Sequence, residues 1–109
     1  MDQITSELID SLKQLPASQD PYLSKRAEHR YNLRTRTHLD LQRSDGETML
    51  VSALDVSNSG IGFLCRRILD VDERIGLRLA FQHEGEFDFF IVRRGTGTLG
   101  GYKIGAVVC

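Results

Sequence analysis

The spacing of hydrophobic residues after position 30 is the feature that most constrains the fold of this chain. From Tyr31 onward apolar and polar residues alternate with a period of two, which is typical of β-strands with one buried face. Six such segments follow at about residues 31–42, 48–56, 61–66, 75–81, 86–94 and 102–108. Turn signals separate them, among them Ser44-Asp45-Gly46 and a glycine-rich loop at 95–101. The pattern predicts an all-β fold, a small antiparallel barrel or sandwich.

The first residues follow a helical period instead. Apolar residues recur at positions 4, 8, 9, 12 and 15, Asp2 is a suitable N-cap, and Pro16 ends the pattern. We therefore expect a short amphipathic α-helix at about 3–15, followed by a linker at 16–25. Its apolar stripe must cover either the rest of the domain or a partner. The predicted division is an N-terminal helix and linker at 1–20 and a barrel domain at 21–109.

Composition narrows the class of protein. A chain of 109 residues fits one domain, and no apolar run approaches the length of a membrane span. Acidic residues stand near the N-terminus where a signal peptide needs Lys or Arg, and Cys65 and Cys109 are too few for a disulfide framework or zinc site. We expect a cytoplasmic protein without membrane insertion. The three histidines lie in separate segments and no catalytic constellation is visible, so we expect no metal site and no enzyme.

The distribution of charge points to a local anion site. The formal net charge is −1, yet residues 21–43 hold six basic residues against two acids. Residues 44–109 hold nine acids and seven bases, and residues 1–20 hold four acids and one Lys. A small barrel that binds single-stranded nucleic acid would need exposed stacking aromatics along a basic groove. Trp is absent and most aromatics alternate inward, so DNA is not an expected partner.

Two short motifs could hold the anion. Arg26 and Arg30 stand four residues apart where the linker meets the first strand, and guanidinium groups bind phosphates and guanine edges in bidentate fashion. Asp55 and Ser57 lie two apart at a strand end, so both project to one side and can accept the N–H groups of guanine. Gly60 permits a sharp turn. Each motif alone also fits an ordinary feature, a pair of solvated arginines or a polar turn.

In this order on an all-strand chain, the motifs resemble those of the PilZ domain, a bacterial receptor module for the second messenger cyclic di-GMP. The resemblance covers roughly residues 24–108, with Arg26–Arg30 as its RxxxR motif and Asp55–Gly60 as its DxSxxG motif. It implies a six-stranded antiparallel PilZ-type β-barrel with the ligand on its outer surface. The positions that it assigns to cyclic di-GMP are Lys25, Arg26, Arg30, Asp55, Ser57, Asn58, Gly60 and Gly105.

The resemblance also implies a role for each position. Both arginines would hold phosphates and guanine edges, Asp55 and Ser57 would bind a guanine with Asn58 nearby, and Gly60 and Gly105 would leave room for the ligand. Lys25 stands where family members often have a basic residue that influences whether one ligand or an intercalated pair is bound.

The expected activity is that of a receptor rather than an enzyme. Ligand binding would order residues 21–30 and reposition the N-terminal helix, and a partner protein or a second copy of the chain would read the change. Motility, exopolysaccharide synthesis, attachment or virulence would be the controlled process. Family members commonly close one end of the barrel with a helix after the last strand, and the helix at 3–15 is the alternative here. The competing interpretation is a PilZ-like interaction module that binds no nucleotide, against which the intact motifs argue.

Overall fold

The fold is taken from a computed structural model that describes residues 7–13, 17–19, 31–80 and 85–109. It contains one helix and seven strands: α1 (Glu7–Lys13), β1 (Ala17–Gln19), β2 (Tyr31–Gln42), β3 (Thr48–Val56), β4 (Gly60–Cys65), β5 (Arg74–Leu79), β6 (Asp88–Thr98) and β7 (Gly101–Val108). The six alternating segments are all strands, as their period of two predicts.

The strands form a closed antiparallel barrel. Their order is β1-β2-β3-β4-β7-β6-β5, and a further pairing between β2 and β5 closes the sheet on itself. Leu39 to Gln42 at the end of β2 pair with β5, whereas Tyr31 to Leu33 at its start pair with β1. The barrel therefore has six strands, and β1 is an additional short strand beside β2. The prediction of an all-β, six-stranded antiparallel barrel is confirmed.

The alternation of side chains fills the barrel with one apolar core. Inward positions on every barrel strand are buried, with Phe63, Leu77, Phe90 and Ile104 fully so. On β3 the outward Leu50 is exposed beside the buried Val51, and on β7 the outward Lys103 is exposed beside the buried Ile104. Burial of apolar side chains at about 25 cal/mol per Å² is the main stabilising contribution in a domain of this kind.

Two sequence expectations need correction. The glycine-rich stretch at 95–101 is not a loop, because β6 continues to Thr98 and β7 begins at Gly101, which leaves a two-residue turn. Glycine and threonine permit this long hairpin, although glycine has a low intrinsic preference for strands. The expected linker also contains β1, whose three residues pair with β2. Pairing with an existing strand overrides the polar composition of this segment.

Helix α1 packs against the barrel rather than standing free. Leu8, Ile9 and Leu12 are buried and belong to the same core cluster as the barrel interior. The backbone N–H of Leu8 donates a 2.8 Å hydrogen bond to a carboxylate oxygen of Asp88 at the start of β6. The sequence allowed the apolar stripe of this helix to cover either the rest of the domain or a partner, and in the structure it covers the domain. Within the described ranges, no helix has the length and apolar character to cross a membrane.

An ion-pair network ties together the loops at one end of the barrel. Arg43, after β2, makes a bidentate contact with Glu73, with Nη2 2.8 Å and Nε 2.9 Å from the two carboxylate oxygens. This hydrogen bonding lowers the pKa of Glu73 below its usual range, and burial opposes the shift only in part. The network joins the β2–β3 turn to the segment that leads into β5.

Candidate functional site

A β-bulge turns Asp55 to the outer face of the barrel. Ala53 pairs with Phe63 and faces the core, and the next pair in the register is Asp55 with Gly62, so Leu54 is an extra residue on β3. Without this insertion, Asp55 would share the inward direction of Ala53, because side chains alternate along a strand. Val56 is buried again beyond the bulge. The bulge therefore places a carboxylate on the outer surface between two core positions.

A second bulge turns Arg94 to the same face. Val92 pairs with Ala106, and the next pair is Arg94 with Gly105, which leaves Arg93 as the extra residue on β6. Gly105 also pairs with Gly62. Asp55, Gly62, Gly105 and Arg94 thus occupy one row across β3, β4, β7 and β6, which we call the glycine row. Its ends lie three strand intervals apart, about 14 Å.

The two central positions of the glycine row lack side chains for different reasons. A Cβ atom on Gly62 would stand 2.7 Å from Oδ1 of Asp55, so the carboxylate already occupies that space. Among the described residues, a Cβ atom on Gly105 would meet nothing closer than Cβ of Arg94 at 3.7 Å, an ordinary contact. Packing among the described residues therefore disfavours a side chain at position 62 but not at 105. The surface at Gly105 is open enough for a flat group to approach the backbone.

Ser57 and Gly60 form the turn beside the glycine row. The N–H of Ser57 donates to the carbonyl oxygen of Gly60 at 2.9 Å, and the N–H of Val108 donates to the carbonyl oxygen of Ser59 at 2.7 Å. Oγ of Ser57 lies 3.7 Å from the place of a Cβ atom on Gly60. Gly60 and Gly62 face the same side of β4, so the Ser57 hydroxyl and the Asp55 carboxylate share the outer face, as their spacing predicts.

Asp55 is a largely covered group. Its exposed fraction as a whole residue is 8%, which makes it the one polar or charged residue that is buried as a whole in the described part of the chain. Both of its carboxylate oxygens lie within 3.2 Å of the Cβ position of Gly62, so the group leans across β4. An acceptor held in this way has little rotamer freedom left to lose when a ligand binds.

Arg94 is the member of the glycine row that the sequence analysis missed. Its side chain is exposed and forms no ion pair with any residue that the structure describes, whereas its neighbour Arg93 lies 2.9 Å from Asp72. Lys103 is exposed two residues before Gly105 and therefore faces the same side of β7. The open end of the row is thus positively charged. The sequence Arg93-Arg94 does not by itself predict a binding site, because the bulge decides which of the two arginines faces the row.

The remaining predicted positions divide into two groups. Asn58 is exposed in the turn between β3 and β4, next to Ser57. Lys25, Arg26 and Arg30 lie outside the described residues, so the structure does not relate them to the glycine row. Among the described residues, the site therefore consists of Asp55, the turn at Ser57 and Gly60, the glycines of the row and Arg94.

Other reactive groups give no second centre within the described ranges. Cys65 is buried with Sγ 3.4 Å from the Met49 sulfur, and burial raises the pKa of its thiol, as expected for a packed structural cysteine. No group of three or more His, Cys, Asp or Glu side chains comes together there in a way that could hold a metal ion. The chemistry of the outer face is therefore that of hydrogen bonding and charge.

No model of a known protein family matches this sequence, and no curated protein matches it either.

Proposed function

We propose that this protein is a receptor for cyclic di-GMP that binds the nucleotide on the outer face of the barrel and passes the signal to a partner. The glycine row is the observation that carries the proposal. It has a fixed carboxylate at one end, a guanidinium without an ion-pair partner among the described residues at the other, and two glycines between them. This arrangement suits a flat, anionic ligand with guanine edges.

The chemistry of the row distinguishes guanine from other bases. The Watson–Crick edge of guanine presents N–H donors, and the Asp55 carboxylate beside the Ser57 hydroxyl supplies acceptors for them. Adenine presents an acceptor at the corresponding ring nitrogen, which would face the carboxylate unfavourably. A guanine base lying over Gly105 would extend from the Asp55 carboxylate, which covers Gly62, towards Arg94, whose guanidinium suits a phosphate or the O6/N7 edge.

The RxxxR motif in the sequence gives further support to this proposal. Arg26 and Arg30 would supply further contacts to the two phosphates, in keeping with the PilZ resemblance. Each charge-assisted hydrogen bond contributes about 1.5–3 kcal/mol, so several of them can hold a dianion on an exposed surface. The proposed role is binding without chemical conversion of the nucleotide.

Isothermal titration of the full chain with cyclic di-GMP tests the proposal, with GTP and cyclic di-AMP as ligand controls. We expect selective binding of cyclic di-GMP. Arg30→Ala and Asp55→Ala should each weaken it by on the order of 10-fold to 100-fold. Asp55→Asn should reduce the preference for guanine, because an amide presents a donor as well as an acceptor.

Glu86→Gln is a matched control, since Glu86 is exposed just before β6 and lies off the glycine row. It should leave the affinity unchanged. A flat titration trace from protein with an intact circular dichroism spectrum would refute the receptor function. The interaction module that binds no nucleotide would then be the better interpretation.

A further inference from the structure

Beyond Val92, one edge of strand β6 has no pairing partner among the residues that the structure describes. One side of residues 94–98 pairs with β7 along its whole length. On the other side, β5 reaches only as far as the pair of Arg74 with Ile91, and the last backbone bonds are those between Val92 and residues 72 and 73. Residues 93–100 are all exposed. Among the described residues, nothing pairs with this edge of Arg94 to Thr98.

The free hydrogen-bonding groups on this edge belong to two glycines. Thr98 pairs with Gly101 across a two-residue turn, and the closing pair of such a hairpin exchanges backbone hydrogen bonds. Bonded and non-bonded pairs alternate along an antiparallel ladder, so Thr96 bonds to β7 while Gly95 and Gly97 direct their N–H and C=O groups outward. An exposed edge with such groups is a template for another strand.

We propose that this edge pairs with the same edge of a second copy, antiparallel and across a two-fold axis at Thr96. Gly95 of one copy then exchanges two hydrogen bonds with Gly97 of the other, and the symmetry repeats this pair. Four backbone hydrogen bonds result. The two Thr96 residues face each other as a non-bonded pair, with Cα atoms about 4.5 Å apart, an arrangement in which threonine pairs are favourable.

The sequence of the edge is compatible with itself in this register. Arg94 lies opposite Thr98 of the other copy, so no two charges of the same sign face each other. The two Arg94 residues are four positions apart along the strands, about 14 Å, which exceeds the screening length of about 8–10 Å at physiological salt. Gly95 and Gly97 have no side chains to collide. The edge also lacks the proline and inward-pointing charge that protect many edge strands.

The paired edge would join the two barrels into one continuous sheet. A two-fold axis normal to the sheet leaves both outer faces on the same side, so both glycine rows would open in one direction. Five residues per copy bury far less surface than the roughly 1,000 Å² of a stable interface. We therefore expect weak self-association, on the order of 0.1–1 mM in dissociation constant.

Disulfide trapping tests the register. In a Cys109→Ser background, which removes the exposed native cysteine, Thr96→Cys places two thiols across the two-fold axis, at a Cα separation that a disulfide can span. Thr98→Cys is the matched control, because the two copies of position 98 would lie about 14 Å apart. We expect oxidised dimer from Thr96→Cys at a yield at least about 10-fold above that of Thr98→Cys. Equal yields would overturn the proposed register.

A second pair of variants tests the edge without a cross-link. Gly97→Pro removes an outward N–H and therefore two of the four intermolecular hydrogen bonds, while the ladder to β7 loses none. Gly97→Ala keeps the N–H, and its Cβ atom meets no atom of the described residues within 4 Å. Sedimentation equilibrium should show dimer for the wild type and Gly97→Ala, and at least about 10-fold weaker association for Gly97→Pro. Wild-type protein that stays monomeric at millimolar concentration would overturn the proposal.

Discussion

The carboxylate of Asp55 occupies the space in which the side chain of residue 62 would otherwise stand. A Cβ atom on Gly62 would lie 2.7 Å from Oδ1 of Asp55, closer than such atoms approach in proteins. Gly105, the next position in the glycine row, differs because the nearest described atom to a Cβ there would be Cβ of Arg94, at 3.7 Å. Gly62 makes room for the carboxylate of Asp55, and Gly105 leaves the surface beside Arg94 open.

This difference separates stability from binding at Gly105. Gly105→Leu should leave the free energy of unfolding within about 1 kcal/mol of wild type, because the new side chain extends into open space and strands favour residues with side chains. It should weaken cyclic di-GMP binding about 10-fold or more, since it blocks the approach to the backbone. Urea unfolding and isothermal titration measure the two effects.

Gly100→Leu is the control for the Gly105 variant. Gly100 lies in the turn after β6, and no atom of the part of the chain that the structure describes lies within 4 Å of a Cβ atom there. This variant should bind the ligand as wild type does. Wild-type affinity in Gly105→Leu would mean that the ligand does not cover the centre of the row.

The two consecutive arginines on β6 should differ in their effect on binding. Arg94 faces the glycine row, whereas Arg93 is the bulged residue paired with Asp72. Arg94→Ala should therefore lower the affinity for cyclic di-GMP by about 10-fold to 100-fold, and Arg93→Ala should change it little. Both variants lose one positive charge, so titration at the same ionic strength compares them at equal net charge. Equal losses would indicate a nonspecific charge effect and contradict the assigned geometry.

The buried face of α1 should contribute to the stability of the whole domain. Leu12 is fully buried in the core cluster, so Leu12→Ala should lower the free energy of unfolding by about 2–5 kcal/mol. Asp10 is exposed on the same helix, and Asp10→Ala should change the free energy of unfolding by no more than about 0.5 kcal/mol. Urea unfolding followed by circular dichroism compares them. A small effect of Leu12→Ala would mean that the helix detaches readily from the barrel.

The contact between Arg43 and Glu73 should make stability depend on pH in the acid range. The folded protein lowers the pKa of Glu73, so the stabilisation is complete above the unfolded value of about 4.3 and is lost as the pH falls through the lower folded value. Glu73→Gln should cost about 1.5–3 kcal/mol at pH 7. Urea unfolding from pH 7 to pH 3 should show the gap between wild type and variant closing below about pH 4.

An exposed ion pair provides the comparison for Glu73. The side chains of Arg93 and Asp72 are 58% and 71% exposed, so Asp72→Asn should have a small effect across the same pH range. Asparagine also tolerates the positive φ of 71° at this position. A gap for Glu73→Gln that is independent of pH would assign its effect to packing rather than to charge.

The alternation of residues was sufficient to predict the barrel strands, and it failed where pairing outweighed composition. The segment around Leu77 alternates cleanly and forms β5 within the core. The stretch at 95–98 has no apolar residue to mark a strand, yet β7 provides a ready partner for its backbone. Ala17–Gln19 became a strand for the same reason, through pairing with β2. Hydrogen bonding to a neighbouring strand is not visible in the local sequence.

The sequence by itself determined the class of fold, the inward set of side chains and the shared side of Asp55 and Ser57, because each of these follows from a period of two along one strand. The tertiary structure decided which side chains from other strands lie next to Asp55 and Ser57. Two bulges, at Leu54 and Arg93, bring Asp55 and Arg94 onto one row, although 38 positions separate them in the chain. A bulge is a property of two paired strands, since it exists only where one strand has a residue more than its partner.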